Sequence, residues 1–374
     1  MMRLALRAAR RGEGLTHPNP SVGAVVFRAD RVLGRGRTRP PGGPHAEVVA
    51  LDDARRRFGA ARLRGASMAV TLEPCVFRGR TGPCTEAIIA SGVSRVYVGV
   101  RDPHARVAGR GIRKLRAAGI EVFEGNLEAE CRRHHRGFFS VCERGRPFVT
   151  LKLATTLDAR IATRTGASRW ISGPEARAFV HRLRARADGV MVGSGTALAD
   201  DPELTARRDG RIVRSPLRVL VDSRLRVPAS ARLYAHAVAS ANRSAGVDAD
   251  PPSTLVLVAP GARGRRAIAA TGARLIEVPR AGRHLDLEAA LSLLAAAGLT
   301  SLLVEGGGQL GAALLRENLV DEIHWILAPK LIGGDGRPAL GALGVEAIPD
   351  ALGLTIRRVG RLGDDLHIEA LLEE

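Results

Sequence analysis

Along the first 145 residues, the pattern of apolar and polar positions switches repeatedly between short apolar runs typical of strands and segments with the period of a helix. Short apolar runs, such as SVGAVVF, ASMAVTL and RVYVGV, have the length and the β-branched content of buried strands. Segments of helical period lie between them: the opening helix around Leu4 to Arg11, HAEVVALDDARRRF, TEAIIASG and GIRKLRAAG. Strands that alternate with helices predict a three-layer α/β/α domain, with helices on both faces of one sheet.

The rest of the chain repeats this alternation and predicts a second α/β domain. Strand-like runs occur at GVMVGS, LRVLVDS, TLVLVA, SLLVEGG and EIHWILAPKL, and helical periods occur at GPEARAFVHRLRARA and LEAALSLLAAAG. A short stretch that contains Gly and Arg ends at Pro147, just before the strand-like run FVTLKLATTL. This stretch is a plausible linker, so the sequence predicts one domain over 1–145 and a second over 146–374. The small, polar stretch from Ala235 to Ser253 predicts a loop.

Length and composition argue against a membrane protein, a secreted protein and a small disulfide-rich protein. A chain of 374 residues exceeds what one hydrophobic core usually organises, which agrees with two domains. The chain contains no apolar run of membrane-spanning length. The apolar core of its N-terminal segment is too short for a secretion signal, and no small-residue cleavage site follows it. Its four cysteines are too sparse for a disulfide framework. We therefore expect a soluble cytoplasmic protein with no membrane partner.

The formal net charge of +19 is a feature shared with nucleic-acid-binding proteins. However, 54 of the 57 basic residues are arginines that are spread through predicted helices and loops alike, and only 3% of residues are aromatic. Scattered charge without stacking platforms does not form a nucleic-acid groove. The sequence therefore predicts no specific nucleic-acid partner.

Two motif halves in the first domain carry candidate metal chemistry. The segment PHAEVVAL contains His45 and Glu47, and the segment TLEPCVFRGRTGPCTEAI contains Cys75 and Cys84. Zinc deaminases share an H-x-E motif followed by P-C-x-x-C, and here the cysteines are more widely spaced. One imidazole and two thiolates bind zinc and leave its fourth position for water. We therefore predict a zinc site made by His45, Cys75 and Cys84.

Glu47 is the candidate proton carrier of this site. Residues two apart do not share a helix face, so His45 and Glu47 can converge only if the helix begins between or at them. Glu47 would then take a proton from the attacking water and serve as the proton donor to the ring nitrogen and to the departing amine. A structural zinc site, or buried cysteines beside a helical His and Glu by chance, are the alternatives. Cys131 and Cys142 are not predicted ligands, and His134 and His135 are expected to be solvated on a basic helix.

The whole chain resembles the bifunctional riboflavin-biosynthesis deaminase/reductase family. In the first domain the resemblance rests on THPNPSVGAVV, the C-x8-C spacing with its internal Gly-Arg-Thr, and RDPHARVAGRG. It implies a cytidine-deaminase-like fold that removes the C2 amino group of a diaminopyrimidinone bearing a ribosylamino 5′-phosphate. It also implies that Asn19 contacts the pyrimidine and that Arg80 helps to hold the phosphate.

Two stretches depart from the pattern of this family. Polar residues usually follow the first cysteine, whereas this chain has Val76, Phe77 and Arg78. The chain also has Asp-Pro-His-Ala where Asp-Pro-Asn-Pro is common, so that His104 replaces an asparagine. Both stretches are expected to face the substrate.

The second domain resembles the reductase of the same family through LKLATTLDARIA, GASRWISGPEAR, GTALADDPELTAR, VEGGGQL and APKLIGG. This resemblance implies a dihydrofolate-reductase-like α/β fold in which NADPH reduces the ribosylamino group to a ribitylamino group. No G-x-G-x-x-G follows a first strand, so a Rossmann site is not indicated. The glycine-rich segments at Gly193 to Thr196 and at Glu305 to Gly308 instead offer backbone N-H groups to cofactor phosphates.

The motif match also implies roles for individual residues of the reductase. Polar groups that arrange the substrate and transfer protons are expected at Lys152, Asp200 and Glu305. Residues around the ribose phosphate are expected at Ser168, Trp170, Arg184 and Arg207, and cofactor contacts at Gly193, Thr196, Gly306 and Gly307.

Three alternatives stay open on the sequence alone. The chain could be a monofunctional reductase whose deaminase is impaired at residues 76–78, or the converse. It could also be a basic, nucleic-acid-binding protein that keeps a deaminase-like scaffold, although this hypothesis does not explain the reductase motifs. The family resemblance further implies a homodimer or homotetramer.

Overall fold

The computed structural model describes residues 1–78, 82–235 and 253–373. The chain divides into two compact units, Met1–Gly145 and Arg146–Glu374. Arg80 and most of the predicted loop, residues 236–252, lie outside the described residues.

The N-terminal unit is built on one five-stranded sheet of order β2-β1-β3-β4-β5. Strand β1 pairs antiparallel with β2 and β3, whereas β3, β4 and β5 run parallel. The strands are β1 Gly23–Arg28, β2 Arg31–Arg37, β3 Ser67–Leu72, β4 Arg95–Val100 and β5 Glu121–Phe123. The helices are α1 Met2–Arg10, α2 Ala46–Phe58, α3 Cys84–Ser91, α4 Arg110–Ala117, α5 Glu128–His134 and α6 Arg136–Arg144.

Two glycines of β2 set the distance between this strand and helix α2. A Cβ on Gly36 would lie 2.0 Å from the carbonyl oxygen of Ala46, and a Cβ on Gly34 would lie 2.2 Å from that of Ala50. Any side chain at these positions would push the helix away, because its backbone already touches the strand. The glycines therefore seat the first turn of α2, which carries the predicted metal and proton-transfer residues.

The buried carboxylate of Glu73 organises the end of β3. One oxygen accepts hydrogen bonds from the backbone N-H groups of Asp102 (3.2 Å) and Gly109 (2.9 Å), and the other from those of Gly111 (2.8 Å) and Ile112 (3.2 Å). The last two groups belong to the first turn of α4, whose N-terminal amides lack intrahelical partners. Glu73 thereby joins the segment after β3 to the loop after β4.

The prediction that His134 and His135 are solvated was wrong. The side chain of His134 is only 3% exposed, and its ring nitrogens contact the Ser21 carbonyl oxygen (2.7 Å) and the Glu13 carboxylate (3.1 Å). His135 is equally buried and its Nε2 lies 3.0 Å from the hydroxyl oxygen of Thr71. The partners of both rings lie more than 60 positions away in the sequence. The neighbouring residues, which are basic, therefore could not indicate that the two histidines are buried.

The C-terminal unit is built on a nine-stranded sheet of order β13-β12-β11-β8-β16-β6-β17-β20-β19, which is parallel except for the pairs that involve β20. The sheet strands are β6 Phe148–Thr156, β8 Gly189–Gly193, β11 Leu217–Val221, β12 Thr254–Val258, β13 Arg274–Glu277, β16 Ser301–Val304, β17 Glu322–Ala328, β19 Leu354–Leu362 and β20 Asp365–Leu372. Short strands are β7 Arg160–Ala162, β9 Ala206–Arg208, β10 Arg211–Arg214, β14 Arg280–Ala281, β15 His284–Leu285 and β18 Arg337–Pro338. The helices are α7 Pro174–Arg186, α8 Ser194–Asp200, α9 Arg265–Ala269, α10 Leu287–Ala296 and α11 Gly308–Arg316.

Successive residues of the central strand β8 enter different hydrophobic cores. Val190 and Val192 pack in a core that includes residues of α8 and α9, whereas Met191 packs in a core that includes residues of α10 and α11. Side chains along a strand alternate between the two faces of a sheet. The sheet is therefore covered on both faces, which explains why its parallel strands read as continuous apolar runs.

None of the helices in the described part of the chain is long and apolar enough to span a lipid bilayer.

Replacing Glu73 with glutamine is expected to destabilise the N-terminal unit. The amide nitrogen of Gln cannot accept hydrogen bonds, so one pair of backbone N-H groups loses its acceptor, at a cost of about 1–3 kcal/mol. Native-state hydrogen exchange at Gly111 and Ile112, with urea unfolding of the same protein, measures the effect.

The matched control is Glu121→Gln, because among the described residues the side chain of Glu121 makes only an exposed ion pair with Arg95. This change is expected to alter the free energy of unfolding by less than about 0.5 kcal/mol. Equal effects of the two changes would show that Glu73 does not hold the start of α4.

Candidate active sites of the two units

Three ligand groups converge at one edge of the N-terminal sheet. His45 immediately precedes α2, Cys84 is the first residue of α3, and Cys75 lies three residues beyond β3. Nδ1 of His45 is 3.2 Å from Sγ of Cys84 and 3.6 Å from Sγ of Cys75, and all three ligand atoms lie within 4.8 Å of one another. Cys84 is buried, and the other two are half-buried.

The geometry of these atoms fits a zinc ion. Ligand atoms bound to one tetrahedral zinc at about 2.0–2.3 Å lie roughly 3.5 Å apart, and one nitrogen with two sulfurs is a common zinc donor set. Hydrogen bonds from the Cys84 thiol, the His45 ring and the Cys84 backbone N-H lower the pKa of Cys75 to about 4. The site therefore stabilises the thiolate form of Cys75, whereas the hydrogen bond to Cys75 and burial raise the pKa of Cys84.

Glu47 faces this site from the first turn of α2. Its side chain is buried, and its Oε2 atom has no hydrogen-bond partner among the described residues. Burial raises the pKa of Glu47 to about 7. Because α2 begins at Ala46, between His45 and Glu47, the geometric condition predicted for their convergence is met. A carboxyl group of this kind can accept and release protons near neutral pH.

The remaining residues predicted for the deaminase substrate are less closely tied to the metal centre. Asn19 is exposed in the turn before β1, where its backbone N-H and carbonyl groups bond to Thr16. Arg80 lies outside the described residues, so its contact with a phosphate stays a prediction. Phe77, one of the unusual residues after Cys75, is half-buried beneath the guanidinium of Arg106.

In the C-terminal unit, a cleft of about 600 Å³ opens where α8 and α11 begin. These helices follow the carboxyl ends of β8 and β16, the edge of a parallel sheet at which ligands usually bind. The hydroxyl of Thr196 accepts a hydrogen bond of 2.8 Å from the N-H of Gly307, which joins the two glycine-rich segments. The predicted residues that line the cleft are Ser168, Gly193, Thr196, Asp200 and Gly307.

Three of the cleft residues that the sequence analysis missed carry polar or charged side chains: Arg169, Gln309 and Arg337. Arg169 lies within a motif that was noticed, between Ser168 and Trp170, but one arginine among 54 carries no special signal. Gly306 was predicted as a cofactor contact but is not among the cleft-lining residues; a Cβ at this position would lie 2.8 Å from a methyl carbon of Leu310.

Lys152, Arg184 and Glu305 form a partly buried electrostatic cluster. Arg184 donates two parallel hydrogen bonds to the Glu305 carboxylate, at 2.5 and 2.9 Å, and a third to the Thr205 carbonyl oxygen at 3.1 Å. Burial lowers the pKa of Lys152, whereas the negative charges of Glu305 and Asp200 partly oppose this change. Burial also opposes ionisation of Glu305, but Arg184 and Lys152 outweigh it and lower the pKa of this carboxyl.

Arg207 and Trp170 occupy positions outside the lining of the cleft. The Arg207 guanidinium donates to the carboxylate of Glu203 and, at 3.2 Å, to the hydroxyl of Thr205. Trp170 is 64% exposed, and the guanidinium of Arg177 lies 4.6 Å from its ring centroid. Arg184 and Arg207 therefore lie on either side of Thr205, and a protein carboxylate engages each of them. Of the four residues predicted around the phosphate, only Ser168 is among those that line the cleft.

Two family models match the two units. The model of the cytidine and deoxycytidylate deaminase zinc-binding region matches residues 1–100, and the model of the RibD C-terminal domain matches residues 147–368. These matches confirm the predicted combination of a deaminase-like fold and a reductase fold.

Relatives with the same arrangement align with nearly the whole chain. The riboflavin biosynthesis protein RibD of Aquifex aeolicus is 38% identical over 98% of this chain and 96% of its own length. That of Escherichia coli is 36% identical over 98% of both chains.

Solved structures agree with these alignments. RibD of Acinetobacter baumannii superposes with a TM-score of 0.87 at 33% identity, covering 100% of this chain and 98% of its own. A diaminohydroxyphosphoribosylaminopyrimidine deaminase/5-amino-6-(5-phosphoribosylamino)uracil reductase of Thermotoga maritima superposes with a TM-score of 0.83 at 32% identity, covering 99% and 97%. The chain therefore belongs to the RibD family of bifunctional riboflavin-biosynthesis enzymes, which join a zinc-binding deaminase domain to a reductase domain.

Proposed function

We propose that residues 1–145 deaminate 2,5-diamino-6-ribosylamino-4(3H)-pyrimidinone 5′-phosphate at C2, and that residues 146–374 reduce the product with NADPH to the ribitylamino compound. The convergence of His45, Cys75 and Cys84 beside the unpartnered carboxylate oxygen of Glu47 carries the first half of this proposal. The same convergence argues against an impaired deaminase, because the residues that bind metal and move protons are all present despite the unusual segment 76–78.

His45, Cys75 and Cys84 would hold one zinc ion per chain. When bound, zinc acidifies a water molecule and so supplies the nucleophile for the attack on C2. Glu47 accepts one proton of the attacking water through the oxygen that has no hydrogen-bond partner among the described residues, and gives it to the ring nitrogen. It then carries the second proton of that water from the new C2 hydroxyl group to the departing amine. Asn19 orients the pyrimidine, and Arg80 holds the phosphate.

The cleft of the C-terminal unit would hold NADPH, which supplies a hydride to C1′ of the ribosylamino group. Gly193, Thr196, Gly306 and Gly307 form the cofactor-binding segments, and the open first turns of α8 and α11 offer N-H groups to its phosphates. Two further cations, Arg169 and Arg337, line the same cleft and support a cofactor with an additional phosphate.

Reduction at C1′ requires a proton for the sugar oxygen that is released when the ring opens. Lys152 is the candidate donor, since it is desolvated and faces Glu305. Arg184 keeps Glu305 ionised and oriented, and Asp200 completes the polar surroundings. Ser168, Trp170, Arg184 and Arg207 are proposed around the ribose phosphate, where a phosphate would compete with Glu305 and Glu203 for the two arginines.

A second copy of the chain is the proposed protein partner. Strand β19 is the edge of the nine-stranded sheet, and it exposes Ile356 (60%) and Val359 (59%) beside Ile368 of β20. Exposed apolar side chains on an edge strand are normally covered, and antiparallel pairing about a two-fold axis would cover Ile356 and Val359 in both copies. We propose a homodimer through this face, with a homotetramer as the larger alternative.

We also propose a cytoplasmic location and no specific nucleic-acid partner. None of the four cysteines, all of which lie among the described residues, forms a disulfide, as expected in a reducing compartment. Many arginines are neutralised by protein carboxylates, including Arg101 and Arg116 with Glu124, so the net charge overstates the basic surface available to a polyanion.

Glu47→Gln is expected to lower kcat of deamination by about 10²–10⁴-fold, because an amide cannot carry the proton. Zinc content, measured by elemental analysis, and reduction of the separately supplied deaminated intermediate should be unchanged. Glu86→Gln, an exposed change on α3, serves as the control with full activity. Loss of zinc from the Glu47 variant would contradict a role limited to proton transfer.

Lys152→Met is expected to lower kcat of reduction by about 10²-fold or more, since the residue keeps its length but can no longer donate a proton. Deamination, followed as ammonia release, should stay at the level of the unaltered chain. The exposed Lys114→Met change provides the control. A Lys152 variant that reduces the intermediate at the normal rate would remove this residue from the mechanism.

Ile356→Asp is expected to convert the homodimer into a monomer, because it places a charge on the apolar edge. Light scattering coupled to size-exclusion chromatography would report half the mass. Ile212→Asp, at another exposed apolar residue of the same unit, should leave the mass unchanged. An oligomer that persists in the Ile356 variant would exclude this face as the interface.

A further inference from the structure

Phe77 and Arg106 make a contact that the proposed mechanism does not use. Cζ of Arg106 lies 4.2 Å from the centroid of the Phe77 ring. A guanidinium over an aromatic face is attracted by the ring quadrupole, and it stacks there in a defined plane. Phe77 is half-buried and follows the metal ligand Cys75 by two residues. The contact therefore holds a positive charge beside the segment that supplies a metal ligand.

The loop that carries Arg106 is firmly joined to that segment. The Glu73 carboxylate binds backbone amides at both ends of the loop, and a Cβ on Gly111 would lie 2.1 Å from the carbonyl oxygen of Pro74. Within the loop, Asp102 accepts a hydrogen bond of 2.8 Å from the N-H of His104, and the His104 ring accepts one of 3.2 Å from the N-H of Arg106. Arg106 is thus fixed through both its backbone and its side chain.

The charge of Arg106 is not neutralised by the protein. Arg101, just before the loop, pairs with Glu124, whereas in the described part of the chain no carboxylate forms an ion pair with Arg106. The side chain is exposed, so an anion can reach it. A guanidinium that is fixed, accessible and uncompensated matches the planar, two-point recognition of a phosphate group.

We propose that Arg106 binds the phosphate group of the deaminase substrate, and that Phe77 is the positioning residue that holds it. The inference rests on the proposed deaminase function and deepens it. It also accounts together for the two departures from the family pattern. The aromatic ring of Phe77 stacks against the guanidinium of Arg106, and Arg106 belongs to the altered loop 102–109.

Steady-state deamination by the zinc-loaded full chain tests the proposal with two substrates, the ribosylamine 5′-phosphate and the same compound without its phosphate. Arg106→Gln is expected to raise KM for the phosphorylated substrate by about ten- to hundredfold, the loss of one charge-assisted contact, and to leave KM for the other unchanged. Its kcat should not change, and inorganic phosphate should inhibit it more weakly than the unaltered chain.

Variants at position 77 separate positioning from packing. Phe77→Leu should raise KM for the phosphorylated substrate less than Arg106→Gln does. Adding Phe77→Leu to the Arg106→Gln variant should cause little further change, because Phe77 acts only through Arg106. Phe77→Tyr keeps the stacked ring and should restore the normal KM. Arg110→Gln, an exposed arginine at the start of α4, should behave like the unaltered chain.

Several outcomes would overturn the inference. An Arg106 variant with a normal KM for the phosphorylated substrate, or one whose KM rises equally for both substrates with loss of zinc, would exclude phosphate recognition by Arg106. Failure of the unaltered chain to deaminate either substrate would instead refute the proposed deaminase function, and reduction of the supplied intermediate would show that the chain is still folded.

Discussion

Parallel strand pairing imposes the constraint on which both sites depend. Strands that run parallel bring their carboxyl ends to one edge of a sheet, and the segments that follow must meet there before the chain returns through a helix. In the N-terminal unit this edge lies beyond β3 and β4, and it collects Cys75 with the loop 102–109. In the C-terminal unit it lies beyond β8 and β16, where two helices begin at the cleft. The chemistry of each unit is therefore located by strand direction.

In the N-terminal unit, close contacts of the backbone fix the positions of the segments that supply the metal ligands. Gly34 and Gly36 let α2 touch β2, and the carboxylate of Glu73 draws the start of α4 toward the end of β3. As a result, His45, Cys84 and Cys75 come from three different segments, yet their ligand atoms meet within a few ångströms. Such a site is preorganised, because the metal does not have to gather its ligands from mobile loops.

In the C-terminal unit, an ion pair between two distant side chains fixes the orientation of a candidate site residue. Arg184 and Glu305 are 121 positions apart and form a bidentate pair, and Lys152 lies close enough for both charges to affect its pKa. A buried pair of this kind is costly to desolvate, and removing one partner would leave the other uncompensated. The pair thus holds Glu305 in one orientation, and it leaves Arg184 less free for a phosphate than its motif alone indicated.

Sequence by itself determined what is local along the chain. The spacing of His45 and Glu47 at a helix start, the cysteine pair and the glycine-rich segments were all predicted, because helix initiation and backbone access depend on neighbouring residues. Only tertiary structure decided which distant residues meet. The burial of His134 and His135, the pairing of Arg184 with Glu305, and the stacking of Arg106 on Phe77 join residues that are 29 to 121 positions apart or bury them against distant partners. Such contacts depend on how strands and helices pack, and an arginine that will be paired, stacked or solvated has the same appearance in a sequence that contains 54 of them.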